Sequence, residues 1–337
     1  MDLQDPGSIV IVQIGKIGDM ILTTPLFSGI KDIFPETNLI VLASRINKDI
    51  PLNHSSVKEV FIYNKSILKN LMLLNTSLMK ADLWIDTKNS YSRTSELLVK
   101  IFKPKLTFGY NYDKKIFDVP LNDHRTGEHA VDINLSPVNL LNKTKEEFRK
   151  KPAFNIPSEI KTKIGAAMQI NPDLKNVVVN ISAGDKSRYI QKEKWVSIIN
   201  KINDPALYFF YVIGLKKDTD SIGYVIQNTE GRNIKYLKSE DIIETSEIVK
   251  RSDYVITADT SIVHICSAFN IPVVAVYPDV KWNLEKFAPL SENKEIIVSG
   301  SKDSIDDVKS DEITEGFKKI VTRGNAESRT RVRKEDH

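Results

Sequence analysis

Short runs of apolar, mostly β-branched residues alternate with longer amphipathic segments in the first half of the chain, which predicts alternating strands and helices. The predicted strands are Ile9–Ile14, Leu39–Ala43, Val57–Tyr63 and Asp82–Asp86, and the predicted helices are Asp19–Phe34 and Ile67–Lys80. Because the strands are apolar at consecutive positions, both of their faces should be buried, as in a parallel sheet covered by helices. The pattern therefore indicates repeated βαβ units.

The second half repeats this alternation after Lys150–Pro157, a polar segment with two prolines that we interpret as an interdomain linker. The predicted strands are Val177–Ile181, Leu207–Ile213, Ile234–Leu237, Tyr254–Thr257 and Val273–Tyr277, and the predicted helices are Lys194–Asn203, Ile222–Thr229, Ser239–Ser252 and Ser261–Asn270. We expect α/β domains over residues 1–155 and 156–323 because one hydrophobic core seldom grows to this size. Residues 324–337 are polar and charged, which predicts a disordered tail.

Composition narrows the class of protein. The 337 residues are 41% hydrophobic and 27% charged, as in ordinary globular proteins, and the net charge of +4 is too small to indicate a nucleic-acid partner. The single cysteine, Cys266, excludes an intramolecular disulfide and any zinc site with two thiolates. Neither a secretory signal nor an apolar run of the roughly 18–20 residues needed to span a bilayer is present in the sequence.

The segment Ile14–Met20 follows the first predicted strand, and it carries Gly15, Lys16, Gly18 and Asp19. Open α/β sheets bind ligands at such strand ends. The segment matches neither the dinucleotide fingerprint G-x-G-x-x-G nor the P-loop, which argues against a dehydrogenase or an NTPase. Asp19 has two open interpretations: a carboxylate that acts on a ligand, or one that stabilises the start of a helix.

The segment Ser182–Arg188 follows a strand in the second half and is suited to an anion. Its small residues, among them Ser182 and Gly184, leave backbone amides accessible beside the cations of Lys186 and Arg188. That combination fits a diphosphate. A solvated loop with surface charges fits the same residues.

The segment Thr257–His264 passes from a strand into a helix. Asp259 or Thr260 should cap that helix, and the amides of its first turn, near Ser261, form a site for an anion. His264 lies one turn into the helix, where a ligand-binding histidine and a structural one both fit.

Together these segments resemble glycosyltransferase family 9, the heptosyltransferase family, over about Ile9–Val321. Gly18–Pro25 resembles the family's N-terminal G-D-hydrophobic-x-x-x-P pattern. Asp259–Ala268 resembles its D-T/S-G-x-x-H-x-x-A-A signature, with Ser261 in place of glycine and Ser267 in place of alanine. Arg188–Trp195 stands where the family has a basic residue ahead of W-P-x-E-x-W, although the Trp-Pro pair is absent here.

The resemblance implies the GT-B class: an α/β fold with two Rossmann-like domains facing a central cleft, an acceptor domain first and a nucleotide-sugar domain second. It also implies inverting, metal-independent and cofactor-free transfer of a heptose from ADP-heptose to a lipopolysaccharide core sugar. Asp19 would be the general base. The donor-binding residues would be Ser182, Gly184, Lys186, Arg188, Asp218, Asp259, Thr260, Ser261 and His264, and the acceptor-binding residues Gly15, Lys16, Gly18 and His129.

Within these sets Asp218 would accept a hydrogen bond from a ribose hydroxyl, although it could equally cap a helix in a polar loop. The implied acceptor is a lipid-linked oligosaccharide at the cytoplasmic face of the inner membrane, reached by a cytoplasmic protein. A transferase of the same fold for another nucleotide-sugar or a protein acceptor remains an alternative, because sugar identity depends on a few pocket contacts. A non-catalytic nucleotide-sugar binding protein is a further alternative, against which the presence of Asp19 argues.

Overall fold

The computed structural model describes residues 5–64, 73–74, 76–111, 114–121, 127–142, 147–168 and 170–335, with residues 327–335 described by backbone alone. The chain divides into two compact units, Met1–Asn155 and Ile156–His337. Each unit contains one six-stranded sheet whose strand pairs are all parallel. The α/β fold class predicted from the sequence, with two Rossmann-like units, is therefore confirmed.

The first unit has the strand order β3-β2-β1-β4-β5-β6. Its strands are β1 (Ser8–Gln13), β2 (Asn38–Ser44), β3 (Glu59–Tyr63), β4 (Leu83–Asp86), β5 (Leu106–Gly109) and β6 (Val119–Pro120). Its described helices are α1 (Ile17–Ile21), α2 (Thr24–Ile33), α3 (Asp49–Leu52), α4 (Arg93–Phe102) and α5 (Ala130–Leu141). Most of the helix predicted over Ile67–Lys80 lies outside the described residues, and residues 76–80 form turns.

The second unit has the strand order β12-β11-β10-β7-β8-β9. Its strands are β7 (Lys175–Asn180), β8 (Tyr208–Ile213), β9 (Ile234–Tyr236), β10 (Tyr254–Ala258), β11 (Val273–Tyr277) and β12 (Lys294–Val298). Its helices are α6 (Ser158–Met168), α7 (Lys192–Ile202), α8 (Thr219–Asn228), α9 (Ile242–Lys250), α10 (Ser261–Phe269), α11 (Lys281–Phe287) and α12 (Ser310–Glu335), with short 3-10 turns at Lys186–Arg188 and Lys216–Asp218.

The two sheets have the same topology, because β7 to β12 take the positions in the second sheet that β1 to β6 take in the first. In this doubly wound order the direction of winding reverses between β1 and β4 and between β7 and β10. Loops at the carboxyl ends of strands next to such a reversal form the ligand-binding edge of α/β proteins. A ligand-binding site is therefore expected at the segments that follow β1, β4, β7 and β10.

Apolar strands and helix stripes form the core of each unit. In the first unit Val10, Val12 and Trp84 pack with Leu98 and Phe102 of α4. In the second unit, α12 adds Ile313, Phe317 and Ile320, at helical spacing, to the buried cluster on the sheet. These cores hold both ligand-binding edges on rigid elements.

The helix predicted as Asp19–Phe34 is two helices with a break at Leu22 and Thr23. Pro25 has no backbone N–H to offer the carbonyl of Ile21, and that carbonyl instead accepts a hydrogen bond from Thr24 Oγ1 at 2.7 Å. At the other end of the chain, α12 continues to Glu335, in place of the disordered tail expected from Gly324 onward. Among the described residues, no helix combines the length and apolar character needed to cross a membrane.

Candidate active site

The turn after β1 is tied to the segment after β4. Gln13 Oε1 accepts from the amide of Gly15 at 3.0 Å, while Gln13 Nε2 donates to Thr87 Oγ1 at 2.9 Å. A Cβ atom on residue 15 would lie 2.8 Å from Gln13 Oε1 and 3.0 Å from Asp19 Oδ2, so a larger residue there would displace these two side chains. The turn therefore places Asp19 beside the β1/β4 reversal.

Asp19 is the third residue of α1, and its Oδ2 accepts from the amide of Lys16 at 3.1 Å. Thr23 Oγ1 donates to the carbonyl of Asp19 at 2.7 Å. The carboxylate thus does stabilise the helix start, as one of the two interpretations predicted. No described residue donates a hydrogen bond to its other oxygen, Oδ1, and the side chain is only partly buried, so a ligand hydroxyl has an acceptor available.

Asp86 ends β4 and is 1% exposed. Its Oδ1 accepts from the amide of Lys88 at 2.9 Å, and Ser95 provides a further hydrogen bond, but Oδ2 has no partner among the described residues. Burial raises the pKa of this carboxyl from its usual value to about 6. Asp86 is absent from the predicted site residues, although a carboxylate at the end of a strand is a recognisable signal of a binding site.

The predicted acceptor residues occupy two places in the first unit. Gly15, Lys16 and Gly18 surround Asp19, with Lys16 exposed at the N-cap of α1. His129 is the N-cap of α5, where its Nδ1 accepts from the amide of Val131 at 3.2 Å. A contact between His129 and an acceptor stays a prediction.

In the second unit, Arg188 links the segment after β7 to the segment after β10. Its Nη1 donates to the carbonyl of Asp259 at 2.9 Å and lies 3.3 Å from Asp259 Oδ2. Asp259 is 3% exposed and also accepts from Asn283 Nδ2 at 2.8 Å. A buried carboxylate paired in this way positions the guanidinium. The remaining guanidinium nitrogens of Arg188, Nε and Nη2, bond to no described residue and are available to an anion.

The predicted role of Asp259 changes with this arrangement. Its carboxylate is already engaged by Arg188 and Asn283, so it would act on a donor through Arg188. Sequence reasoning missed Asn283 because α11 has a short polar sequence without clear helical periodicity.

Thr260 caps α10, and its Oγ1 accepts from the amide of Ile262 at 3.3 Å. Asn180, at the end of β7, donates to Thr257 Oγ1 at 2.9 Å and to Thr260 Oγ1 at 3.3 Å. Ser261 begins the helix, two residues after Asp259, which Arg188 contacts. An anion at this place would be stabilised by both the helix dipole and the guanidinium.

Further along α10, His264 is 5% exposed and its ring packs 6.1 Å from that of Phe287. Cys266 is fully buried, and burial raises the pKa of its thiol well above the usual value. A buried thiol of this kind is not a nucleophile.

The donor residues nearer β8 form a separate cluster. Ser182 Oγ donates to Asp218 Oδ2 at 2.5 Å, and Tyr189 Oη lies 3.1 Å from both carboxylate oxygens of Asp218. Asp218 stands at the N-cap of α8 but makes no side-chain capping bond, so the capping alternative for this residue is wrong. Gly184 and Lys186 are exposed on the same loop, and a Cβ on Gly184 would meet no atom within 4 Å.

The described residues contain no group of three or more histidine, cysteine, aspartate or glutamate side chains that could hold a metal ion. The fold of the second unit brings the predicted donor residues together around Arg188, α10 and Asp218. The predicted base, Asp19, lies in the first unit.

Comparison with known proteins assigns the family. The sequence pattern of glycosyltransferase family 9 (heptosyltransferase) matches residues 74–316. The chain belongs to glycosyltransferase family 9. This family membership makes the protein a glycosyltransferase, as predicted. The matched residues include both donor clusters but not Gly18–Pro25, so the assignment of Asp19 does not rest on the match.

Solved structures of family 9 share the fold at low sequence identity. A family 9 glycosyl transferase from Veillonella parvula has a TM-score of 0.81 at 14% identity, covering 95% of this chain and 98% of that one. The E. coli ADP-heptose lipopolysaccharide heptosyltransferase II has a TM-score of 0.74 at 15% identity, covering 94% and 99%. The E. coli heptosyltransferase WaaC with ADP has a TM-score of 0.72 at 13% identity, covering 93% and 99%. No curated protein sequence matches significantly.

Proposed function

We propose that the protein is an inverting, metal-independent transferase that moves a heptose from ADP-heptose to a sugar hydroxyl of a lipopolysaccharide core acceptor. Its second unit binds the nucleotide-sugar, and its first unit supplies the base. The acceptor is a lipid-linked oligosaccharide, which the protein meets at the cytoplasmic face of the inner membrane.

The observation that carries this proposal is the pairing of Arg188 with the start of α10. Departure of ADP develops negative charge on the diphosphate, and a fixed guanidinium beside helix amides stabilises that charge without a metal ion. Lys186, exposed on the same loop, adds a second cation. The related E. coli heptosyltransferase WaaC has been solved with ADP, which supports adenine as the base of the donor.

Asp19 is proposed as the general base. Inversion requires the acceptor oxygen to attack the anomeric carbon opposite the diphosphate, and the acceptor hydroxyl must lose its proton as the new bond forms. Asp19 Oδ1, which no described residue occupies, takes that proton. The hydrogen bond from the Lys16 amide to Oδ2 fixes the carboxylate while it does so.

Mass spectrometry of the products tests the proposal. The purified protein is incubated with EDTA, a panel of ADP-, UDP- and GDP-sugars, and truncated lipopolysaccharide acceptors. The expected result is an acceptor heavier by one heptose residue with ADP-heptose alone. Transfer from UDP- or GDP-sugars would overturn the donor assignment, absence of transfer to any of the lipopolysaccharide acceptors would overturn the acceptor assignment, and activity that EDTA abolishes would overturn the metal-independent mechanism.

A further inference from the structure

Tyr189 joins two loops of the second unit through its hydroxyl. Its Oη lies 3.0 Å from the carbonyl oxygen of Ala183, in the loop after β7, and 3.1 Å from each oxygen of Asp218, after β8. A phenol carries one hydrogen, so it can donate to only one of these acceptors at a time. The Tyr189 hydroxyl can therefore donate either to the carbonyl of Ala183 or to the carboxylate of Asp218.

The hydrogen bond from Ser182 to Asp218, by contrast, has a fixed direction. Ser182 Oγ accepts from the amide of Leu215 at 2.7 Å, which directs its own hydrogen to Asp218 Oδ2 at 2.5 Å. A Cβ on Gly214 would lie 2.6 Å from Ser182 Oγ, so the backbone at residue 214 is shaped to admit this serine. Oδ2 is thereby committed, whereas the hydrogen bond at Oδ1 depends on Tyr189 alone among the described residues.

Lys217 holds the tyrosine ring in place. Its Nζ donates to the carbonyl of Ala183 at 3.1 Å, hydrogen-bonds to the side chain of Tyr189 and lies 5.3 Å from the centre of the Tyr189 ring. A cation over the ring restricts its movement, and competition at the Ala183 carbonyl favours donation by the phenol to Asp218. Asp218 is then held from two sides with its carboxylate in one orientation.

We infer that Tyr189 is a positioning residue that orients Asp218 to accept hydrogen bonds from the ribose hydroxyls of the donor nucleotide. This inference rests on the proposed function, because it takes the second unit to be the nucleotide site. Each carboxylate oxygen has two lone pairs, so Asp218 can accept from a ribose hydroxyl while Tyr189 keeps its hydrogen bond to the same carboxylate. The bond between Tyr189 and Asp218 was not apparent from the sequence, where Tyr189 only follows the basic residue of a family pattern.

The test is calorimetric binding of ADP, 2′-deoxy-ADP and 3′-deoxy-ADP to the wild type and to Tyr189→Phe. The wild type should bind ADP at least tenfold more tightly than one of the deoxy analogues, since a hydrogen bond to a charged group is lost. Tyr189→Phe should bind ADP roughly fivefold more weakly, but the deoxy analogue within about twofold of wild type, so that discrimination shrinks. A merely structural role would weaken all three ligands equally.

Tyr211→Phe is the matched control, because its hydroxyl also donates to a backbone carbonyl, that of Met168, but from the middle of β8. It should leave discrimination unchanged. If Tyr189→Phe prefers ADP over the deoxy analogues as strongly as the wild type does, the positioning role is overturned. If the wild type binds ADP, 2′-deoxy-ADP and 3′-deoxy-ADP equally tightly, the ribose contact is overturned. If the protein did not bind ADP at all, the proposed function would be contradicted instead. If it bound UDP in place of ADP, 2′-deoxy-UDP and 3′-deoxy-UDP would test the contact between Asp218 and the ribose.

Discussion

The buried carboxylates of the two units differ in whether they form salt bridges. In the second unit, Glu244 pairs with Lys163 at 2.5 Å, Glu247 with Arg251 at 2.6 Å, and Asp259 with Arg188 at 3.3 Å. In the described part of the first unit, Asp86 is the buried carboxylate; Lys88 attracts it electrostatically, but no described cation forms a salt bridge with it. The second unit pairs its buried carboxylates in salt bridges, whereas the described part of the first unit leaves one without such a partner.

The same contrast extends to the candidate site. Arg188, Asp259 and Asn283 form one connected arrangement, and Ser182, Tyr189 and Asp218 form another. In the first unit, the Asp19 carboxylate accepts one hydrogen bond from the described residues, which leaves its other oxygen available. A preorganised set of donors suits binding of a diphosphate, and an available carboxylate oxygen suits removal of a proton.

The largest expected effect is on turnover in Asp19→Asn. The amide keeps the shape of the side chain and can still accept from the Lys16 amide, so the melting temperature should hardly change. Single-turnover transfer should fall by roughly 100- to 10,000-fold, the usual range for a positioned proton transfer.

Asp241→Asn serves as the control for capping alone. Asp241 caps α9, accepting from the amides of Ile243 and Glu244 at 2.8 and 2.9 Å, and it lies outside both clusters. Its substitution should leave turnover near the wild-type value. If Asp19→Asn were equally active and stable, helix capping would be the whole role of Asp19.

A smaller effect is expected on the stability of Asp86→Asn. The pKa of Asp86 is about 6 in the folded state, against an ordinary value of 3.8. Between pH 3.8 and about pH 6 the folded state therefore binds more protons than the unfolded state, and the stability of the wild type falls as the pH rises through this range. Between pH 4 and pH 7.5 the free energy of unfolding should therefore shift by about 2–3 kcal/mol in favour of the variant. Denaturant unfolding at both pH values measures the shift.

Asp259→Asn sharpens the comparison, since it removes a buried carboxylate that has a cation. At pH 7.5 it should lower the free energy of unfolding by about 1–3 kcal/mol, because Arg188 loses its partner while remaining partly solvated. If Asp86→Asn showed no pH-dependent gain relative to wild type, the two units would not differ in how they treat buried charge.

The strands were the most predictable part of the fold. Consecutive β-branched residues identified β1, β7 and β11 to within two residues at either end, because the central side chains of these strands are buried on both faces of the sheet. Three strands were missed, namely β5, β6 and β12, and the two-residue β6 carried no periodic signal at all. The break between α1 and α2 could have been predicted from Pro25, whose missing N–H is a local property.

The candidate site was predictable only in part. Strand ends indicated where Asp19 and Arg188 would lie, since both parallel sheets gather their carboxyl ends at one edge. The partnership of Arg188 with Asp259 joins residues 71 positions apart, and that of Tyr189 with Asp218 joins residues 29 apart. Such pairs depend on tertiary packing, which no local pattern encodes.

The division of labour between the units is tested most directly by titrating ADP, with EDTA present, into the wild type, Asp19→Asn and Arg188→Ala. Lys192→Ala is the control for charge alone, because Lys192 is a cation of the same unit whose ammonium lies over the ring of Tyr224. Wild type, Asp19→Asn and Lys192→Ala should bind ADP with affinities within about twofold, while Arg188→Ala should bind roughly 10- to 100-fold more weakly, as expected for a charge-assisted contact to phosphate. Loss of wild-type binding on chelation, or an Asp19→Asn affinity as weak as that of Arg188→Ala, would contradict the account.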